Sequence, residues 1–83
     1  MSYEKRLQEA KVTIGTKQTT RMVELGKALE VFLARDADPR LTGKVANLCK
    51  KAGVQVTYVD TMKQLGKACG IEVGAAMAAL VRD

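Results

Sequence analysis

Histidine and tryptophan are absent from this 83-residue chain, and proline occurs once. Without histidine there is no imidazole base and no imidazole metal ligand. The two cysteines, Cys49 and Cys69, form no CxxC pair and are too few for a zinc site. A single disulfide between them stays open. No secretory signal leads the chain, so reduced thiols in a cytoplasmic protein are the expectation. Long apolar runs are also missing. The longest, Val73 to Val81, is mostly Gly and Ala and far short of a membrane span, so no membrane partner is expected. Aromatics are limited to Tyr3, Phe32 and Tyr58, which leaves an aliphatic core. What is present is 47% apolar residues and 14 Lys+Arg against 9 Asp+Glu, a net charge of +5. That composition describes one basic globular domain over residues 1–83, not a disordered tail. A basic globule without catalytic groups points to a polyanion partner, with no enzyme activity, cofactor or metal expected.

Hydrophobic spacing divides the chain into alternating helices and strands. Tyr3, Leu7 and Ala10 share one face of an opening helix that Ser2 can cap. Lys11 to Ile14 turns β-branched and reads as a strand. Gly15 breaks it, and Thr16 is placed to cap a helix beginning at Lys17, with Gly26 beyond its end. Leu29 to Ala34 is a nearly all-apolar run, as in a buried strand. Asp38-Pro39 starts a helix whose stripe is Leu41, Val45, Leu48, Cys49 and Ala52, with Gly53 as its stop. Val54 to Val59 alternates as a strand. Asp60 or Thr61 caps a helix with Met62, Leu65, Ala68 and Cys69 inside and Gly70 at its end. Val73 to Val81 is a last strand, dense in alanine and suited to a central position. The order α-β-α-β-α-β-α-β predicts a three-layer α/β/α sandwich on a four-stranded mixed sheet. A short echo, Leu25-Gly-Lys-Ala28 and Leu65-Gly-Lys-Ala68, reflects helix-end chemistry, not a repeat.

Two segments offer chemistry. Gly15-Thr-Lys-Gln-Thr-Thr-Arg21 is a glycine turn opening a helix, where free N–H groups attract phosphate. Lys17 and Arg21 fall on one side, and Gln18 and Thr19 carry groups that can read base edges. The plainer alternative is a capped helix with a solvated first turn. A phosphate-loop nucleotide site is excluded, because GxxxxGK[ST] is absent. The second segment is Leu65 to Ala76, with Gly66, Gly70 and Gly74 at every fourth position. A loop there exposes Ile71 and Val73 as a contact surface. Alternatively both fold inward and the glycines serve packing. Asp36, Asp38 and Asp60 suit turns and helix caps better than a carboxylate pair or magnesium site. Cys49 and Cys69 read as small core residues. Lys44, Lys50, Lys51 and Lys63 form a solvated, steering field.

Gly15-Thr-Lys-Gln-Thr-Thr-Arg21, Ala34-Arg-Asp-Ala-Asp-Pro39 and Leu65-Gly-Lys-Ala-Cys-Gly-Ile-Glu-Val73 occur in one order. Together they resemble the L7Ae family of ribosomal kink-turn RNA-binding proteins, closest to its bacterial YbxF-type members. The resemblance covers roughly Tyr3 to Val81. It implies a three-layer fold that binds a kink-turn, an RNA bend of tandem sheared G·A pairs beside a bulge. It also implies that the second helix enters the widened major groove. The family pattern there is Gly-Thr-Asn-Glu-x-x-Lys, and these positions hold Gly15, Thr16, Lys17, Gln18 and Arg21. Arg21 keeps the charge. Gln18 keeps an acceptor, whereas Lys17 only donates. The family's second contact falls on the loop Ile71, Glu72, Val73 and Gly74, against extruded nucleotides. Lys27 and Lys67 join Lys17 and Arg21 as a positive face. The implied partners are structured RNA with a kink-turn (ribosomal RNA, a riboswitch or another non-coding RNA) and the ribosome; a domain of this size with a closed apolar pattern is expected to be a monomer. An RNA-binding protein of the same fold without kink-turn specificity, and a protein–protein module, are the alternatives. The scarcity of aromatics argues against single-strand binders that stack bases on their sheet.

Overall fold

The computed structural model describes residues 2–9 and 11–82. Its elements are α1 (Ser2–Glu9), β1 (Val12–Ile14), α2 (Thr16–Glu24), β2 (Ala28–Ala34), α3 (Pro39–Ala52), β3 (Gln55–Val59), α4 (Met62–Ala68) and β4 (Met77–Val81). Ala10 and the side chains of Ser2 and Tyr3 lie outside the described residues, so of the α1 stripe only Leu7 is seen, and it is buried.

The four strands run in the order β1-β4-β2-β3. β4 is antiparallel to both neighbours, and β2 pairs parallel with β3. The alanine-rich last strand is thus central, where Ala78 and Ala79 allow close approach from both sides. Strand residues alternate between two cores. Phe32, Ala34, Ala78 and Leu80 face α1 and α4, packing with Leu7 and Leu65. Val31, Leu33, Met77, Ala79 and Val81 face α2 and α3, packing with Val23, Val45 and Cys49. Two helices on each face of a mixed sheet make the expected α/β/α sandwich.

Several local expectations are corrected. β4 begins at Met77, not Val73. Residues 73–76 instead travel back along α4, which Gly66 and Gly74 allow by close backbone approach. α2 begins at Thr16, with Gly15 as its N-cap and no side-chain cap bond, so Thr16 is not the cap. On α3, Val45 and Cys49 are buried, while Leu41 and Ala52 at the stripe's ends are exposed. In β2 a register shift between Ala28 and Glu30 turns Leu29 outward and Glu30 inward. Buried Glu30 takes an ion pair from Arg6 of α1 and a hydrogen bond from the Thr57 hydroxyl of β3 at 2.5 Å. The triad ties α1 to the sheet. The two Leu-Gly-Lys-Ala segments are unlike in structure. Gly26 is left-handed after α2, and Gly66 lies within α4.

Candidate nucleic-acid interface

The start of α2 is set by Gly15. Its φ of 111° and ψ of 158° suit glycine and strain other residues. Its N–H donates to the Met77 carbonyl at 3.1 Å, and its carbonyl accepts from Thr19 at 3.0 Å. No acidic residue occupies the first turn of α2, so the positive end of the helix is uncompensated from within. Lys17, Gln18 and Arg21 are exposed and Thr16 is half-buried. Lys17 and Arg21 line one shallow groove with Thr20, Glu24 and Leu25. Thr19 is fully buried, so it serves packing and not base reading.

The α4–β4 loop is folded against its own helix. Ile71 donates its N–H to the Gly66 carbonyl at 3.0 Å, and Ala75 donates to Met62 at 3.0 Å. A Cβ on Gly66 would stand 2.1 Å from the Val73 carbonyl oxygen, so only glycine fits. A Cβ on Gly74 would stand 3.2 Å from the Met62 Cβ, a close but less severe contact. Val73 is 71% exposed at the crest of this loop, with Glu72 and Gly74 exposed beside it. Ile71 is half-buried and packs on the α1–α4 core, so it is not the exposed contact expected of it. The glycines serve packing and the loop still presents one aliphatic side chain.

Two hydrogen bonds bring these segments to one end of the sheet. Gly15 is joined to Met77, and Ala34 donates to the adjacent Ala76 carbonyl at 2.9 Å. The start of α2 and the end of β2 are therefore anchored to consecutive residues, Met77 and Ala76, where the loop enters β4. Lys67 lies in the last turn of α4, where its carbonyl accepts from Gly70. Lys27 does not join them. It precedes β2, and α2 runs the length of the sheet before reaching it. Sequence reasoning missed Arg35 and Tyr58 at the interface end. The Arg35 guanidinium lies 5.1 Å from the Tyr58 ring centroid and 3.8 Å from Asp60. Only the parallel β2–β3 pairing, which aligns Leu33 with Tyr58, brings them together.

Asp36 and Asp38 act as structural caps, and Thr61, not Asp60, caps α4. The Asp38 carboxylate accepts from the Arg40 N–H at 2.9 Å at the start of α3, and Asp36 accepts from Met62 at 2.7 Å at the start of α4. The Arg40 side chain, then its backbone N–H, hold the Asp38 carboxyl below its ordinary range. Burial pushes both the Cys49 and Cys69 thiols up. Among the described residues, no group of three or more His, Cys, Asp or Glu could hold a metal ion, and no helix is long and apolar enough to cross a membrane.

Comparison with known proteins adds a second line. A profile of the "Ribosomal protein L7Ae/L30e/S12e/Gadd45 family" matches residues 2–83. A Geobacillus sp. protein named as an RNA-binding protein is 58% identical over 82 residues, 99% of this chain and 100% of its own length. "RNA-binding protein YbxF" of Geobacillus stearothermophilus is 55% identical over 99% of this chain and 100% of its own. "Large ribosomal subunit protein eL8" of Halobacterium salinarum is 41% identical over 81% of this chain and 57% of its own. A Giardia lamblia 15.5kD RNA binding protein superposes with a TM-score of 0.85 at 25% identity, covering 98% of this chain and 68% of that one.

Proposed function

Because this chain belongs to the ribosomal protein L7Ae/L30e/S12e/Gadd45 family, we propose that it is a non-enzymatic RNA-binding protein that recognises and stabilises kink-turns. The observation that carries this reading is the joining of two unlike surfaces at one sheet end. One is a polar, cationic helix start with Lys17, Gln18 and Arg21. The other is an aliphatic loop crest at Val73. A kink-turn offers a match for each: a widened groove edged by G·A pairs, and unstacked bulge nucleotides. The names of the RNA-binding Geobacillus relatives support the ligand class. The archaeal ribosomal relative supports ribosomal RNA as one target, bound in association with the ribosome.

The mechanism is a shift of population. Tight bending crowds phosphates, which free RNA resists. A protein that binds only the bent form draws the equilibrium toward it by its differential affinity. Lys17 and Arg21 offset the phosphate repulsion. Gln18 supplies an acceptor for a guanine amino group, and Lys17 only donors. Val73 covers the exposed bases, and Gly74, packed on Met62, holds the loop in place beneath it. Lys67 adds charge beside the loop.

The test uses an end-labelled kink-turn RNA and a copy with its G·A pairs replaced by Watson–Crick pairs. The first should bind more tightly and shorten its end-to-end distance on titration. Arg21→Ala should weaken binding and flatten the slope of log K against log salt by about 0.7–0.9, one phosphate contact. Equal affinity for both RNAs without a distance change rejects the reading.

A further inference from the structure

A second group of cations stands away from this interface. At the interface end, Arg35 faces Asp60 at 3.8 Å and Arg40 is held by Asp38 at 3.0 Å. Asp36 and Glu72 are exposed as well. The opposite end of the sheet differs. β1 and β2 begin there, β4 ends there, and α3 delivers its C-terminus to it. Val81 donates its N–H to the Lys11 carbonyl at 3.0 Å, and Arg82 donates to the Lys27 carbonyl at 3.0 Å. Lys11, Arg82 and Lys27 thus sit side by side on the ends of β1, β4 and β2. Adjacent strands stand ~4.8 Å apart, so the outer two lysines are ~10 Å apart at the backbone. Lys50 and Lys51, in the last turn of α3, reach the same end.

All five cations are exposed, and none forms an ion pair with a described residue. Two described carboxylates lie near. Glu30 is buried and engaged by Arg6 and Thr57. Glu24 is exposed and shares a groove with Lys44 and Lys51. Among the described side chains this surface has no base-stacking platform, because Phe32 is in the core and Tyr58 belongs to the other end. Cations on rigid strand ends, without aromatics, suit phosphate backbone and not base edges.

We infer that this pole, formed by Lys11, Lys27 and Arg82 with Lys50 and Lys51, binds the phosphate backbone of a second RNA segment while the α2 end holds the first. The inference rests on the RNA-binding reading above. It makes the protein a bridge between two RNA elements, and it gives Lys27 a role at this pole in place of the kink-turn face.

The experiment titrates a labelled, bulge-free A-form RNA duplex into full-length protein saturated with unlabelled kink-turn RNA. The wild type should capture the duplex. The charge-removing variant K11Q/K27Q/R82Q should lose about tenfold or more at low salt, with the salt slope reduced by about 2–3 for three lost contacts. Its kink-turn affinity should change by no more than about twofold. K17A/R21A should show the converse, losing kink-turn RNA and keeping the duplex. Matching thermal melts establish that the variants are folded. A triple variant that binds the duplex like wild type overturns the inference. So does a saturated wild type that captures none. If the kink-turn RNA is not preferred over its Watson–Crick copy while the triple variant still loses the duplex, the kink-turn reading falls and the phosphate-binding pole stands.

Discussion

Ile71 and Val73 stand two positions apart in one loop and do different work. The Ile71 side chain completes the α1–α4 core, whereas Val73 is 71% exposed. Val73→Asp should therefore weaken RNA binding with an unchanged melting temperature. Ile71→Asp places a carboxylate against an apolar core and should cost about 2 kcal/mol or more. For a domain of this size that lowers the melting temperature by about 8 °C or more, measurable by circular dichroism. Loss of stability in the Val73 variant, or none in the Ile71 variant, contradicts the assignment. Spacing alone made both residues look like loop-tip contacts. Distinguishing them requires knowing that the loop folds back on α4. Glu30 was also hidden, inside a run that reads as a plain buried strand. Its carboxylate is tolerable in the core because Arg6 and Thr57 engage it. Arg6→Ala strands that charge and should destabilise by roughly 2 kcal/mol, below the full buried-pair cost because the Arg6 side chain is 45% exposed. The apolar pair R6M/E30L should be closer to wild type than Arg6→Ala in denaturant unfolding.

At the scale of elements, the α4–β4 hairpin of helix and loop depends on one glycine. Gly66→Ala would drive a Cβ into the Val73 carbonyl at 2.1 Å, a backbone clash that no rotamer relieves. We expect a loss of about 1–3 kcal/mol and a displaced loop crest, seen as weaker kink-turn binding at temperatures where the variant remains folded. Wild-type affinity in that variant would show the loop to be dispensable. All eight elements were legible from periodicity and breaker residues, and the misfits were ends or exceptions within them. The start of β4 is the largest error. Val73 to Ala76 is as apolar as the strand it precedes, so composition could not separate them. What separates them is the backbone contact at Gly66, which is a tertiary fact. The cap of α2 was misread for a related reason, because Gly15 does the capping through its own backbone. The caps at Asp38 and Thr61 were legible, since each side chain bonds the backbone two or three residues on.

At the scale of the molecule, the central strands should be the last to open. Val31, Phe32, Leu33, Ala78 and Ala79 are fully buried, whereas β1 has three half-buried residues on an edge. Amide hydrogen exchange should be slowest in β2 and β4 and faster in β1; the reverse ranking would refute the core assignment. Sandwich class was legible from the alternation of elements, but strand order was not. Nothing in the pattern of β4 says that it enters between β1 and β2, and the separation of the two basic regions follows only from that order. The same insertion has a consequence for the nascent chain. β1 and β2 have no direct pairing and are bridged by the strand made after them all. Until residues 76–81 have emerged, Gly15 lacks its Met77 acceptor, Ala34 lacks its Ala76 acceptor, and the two halves of the interface have nothing to hold them in register. Translation order thus withholds the interface until the last strand is in place, so an RNA target meets a finished surface and not a partial one.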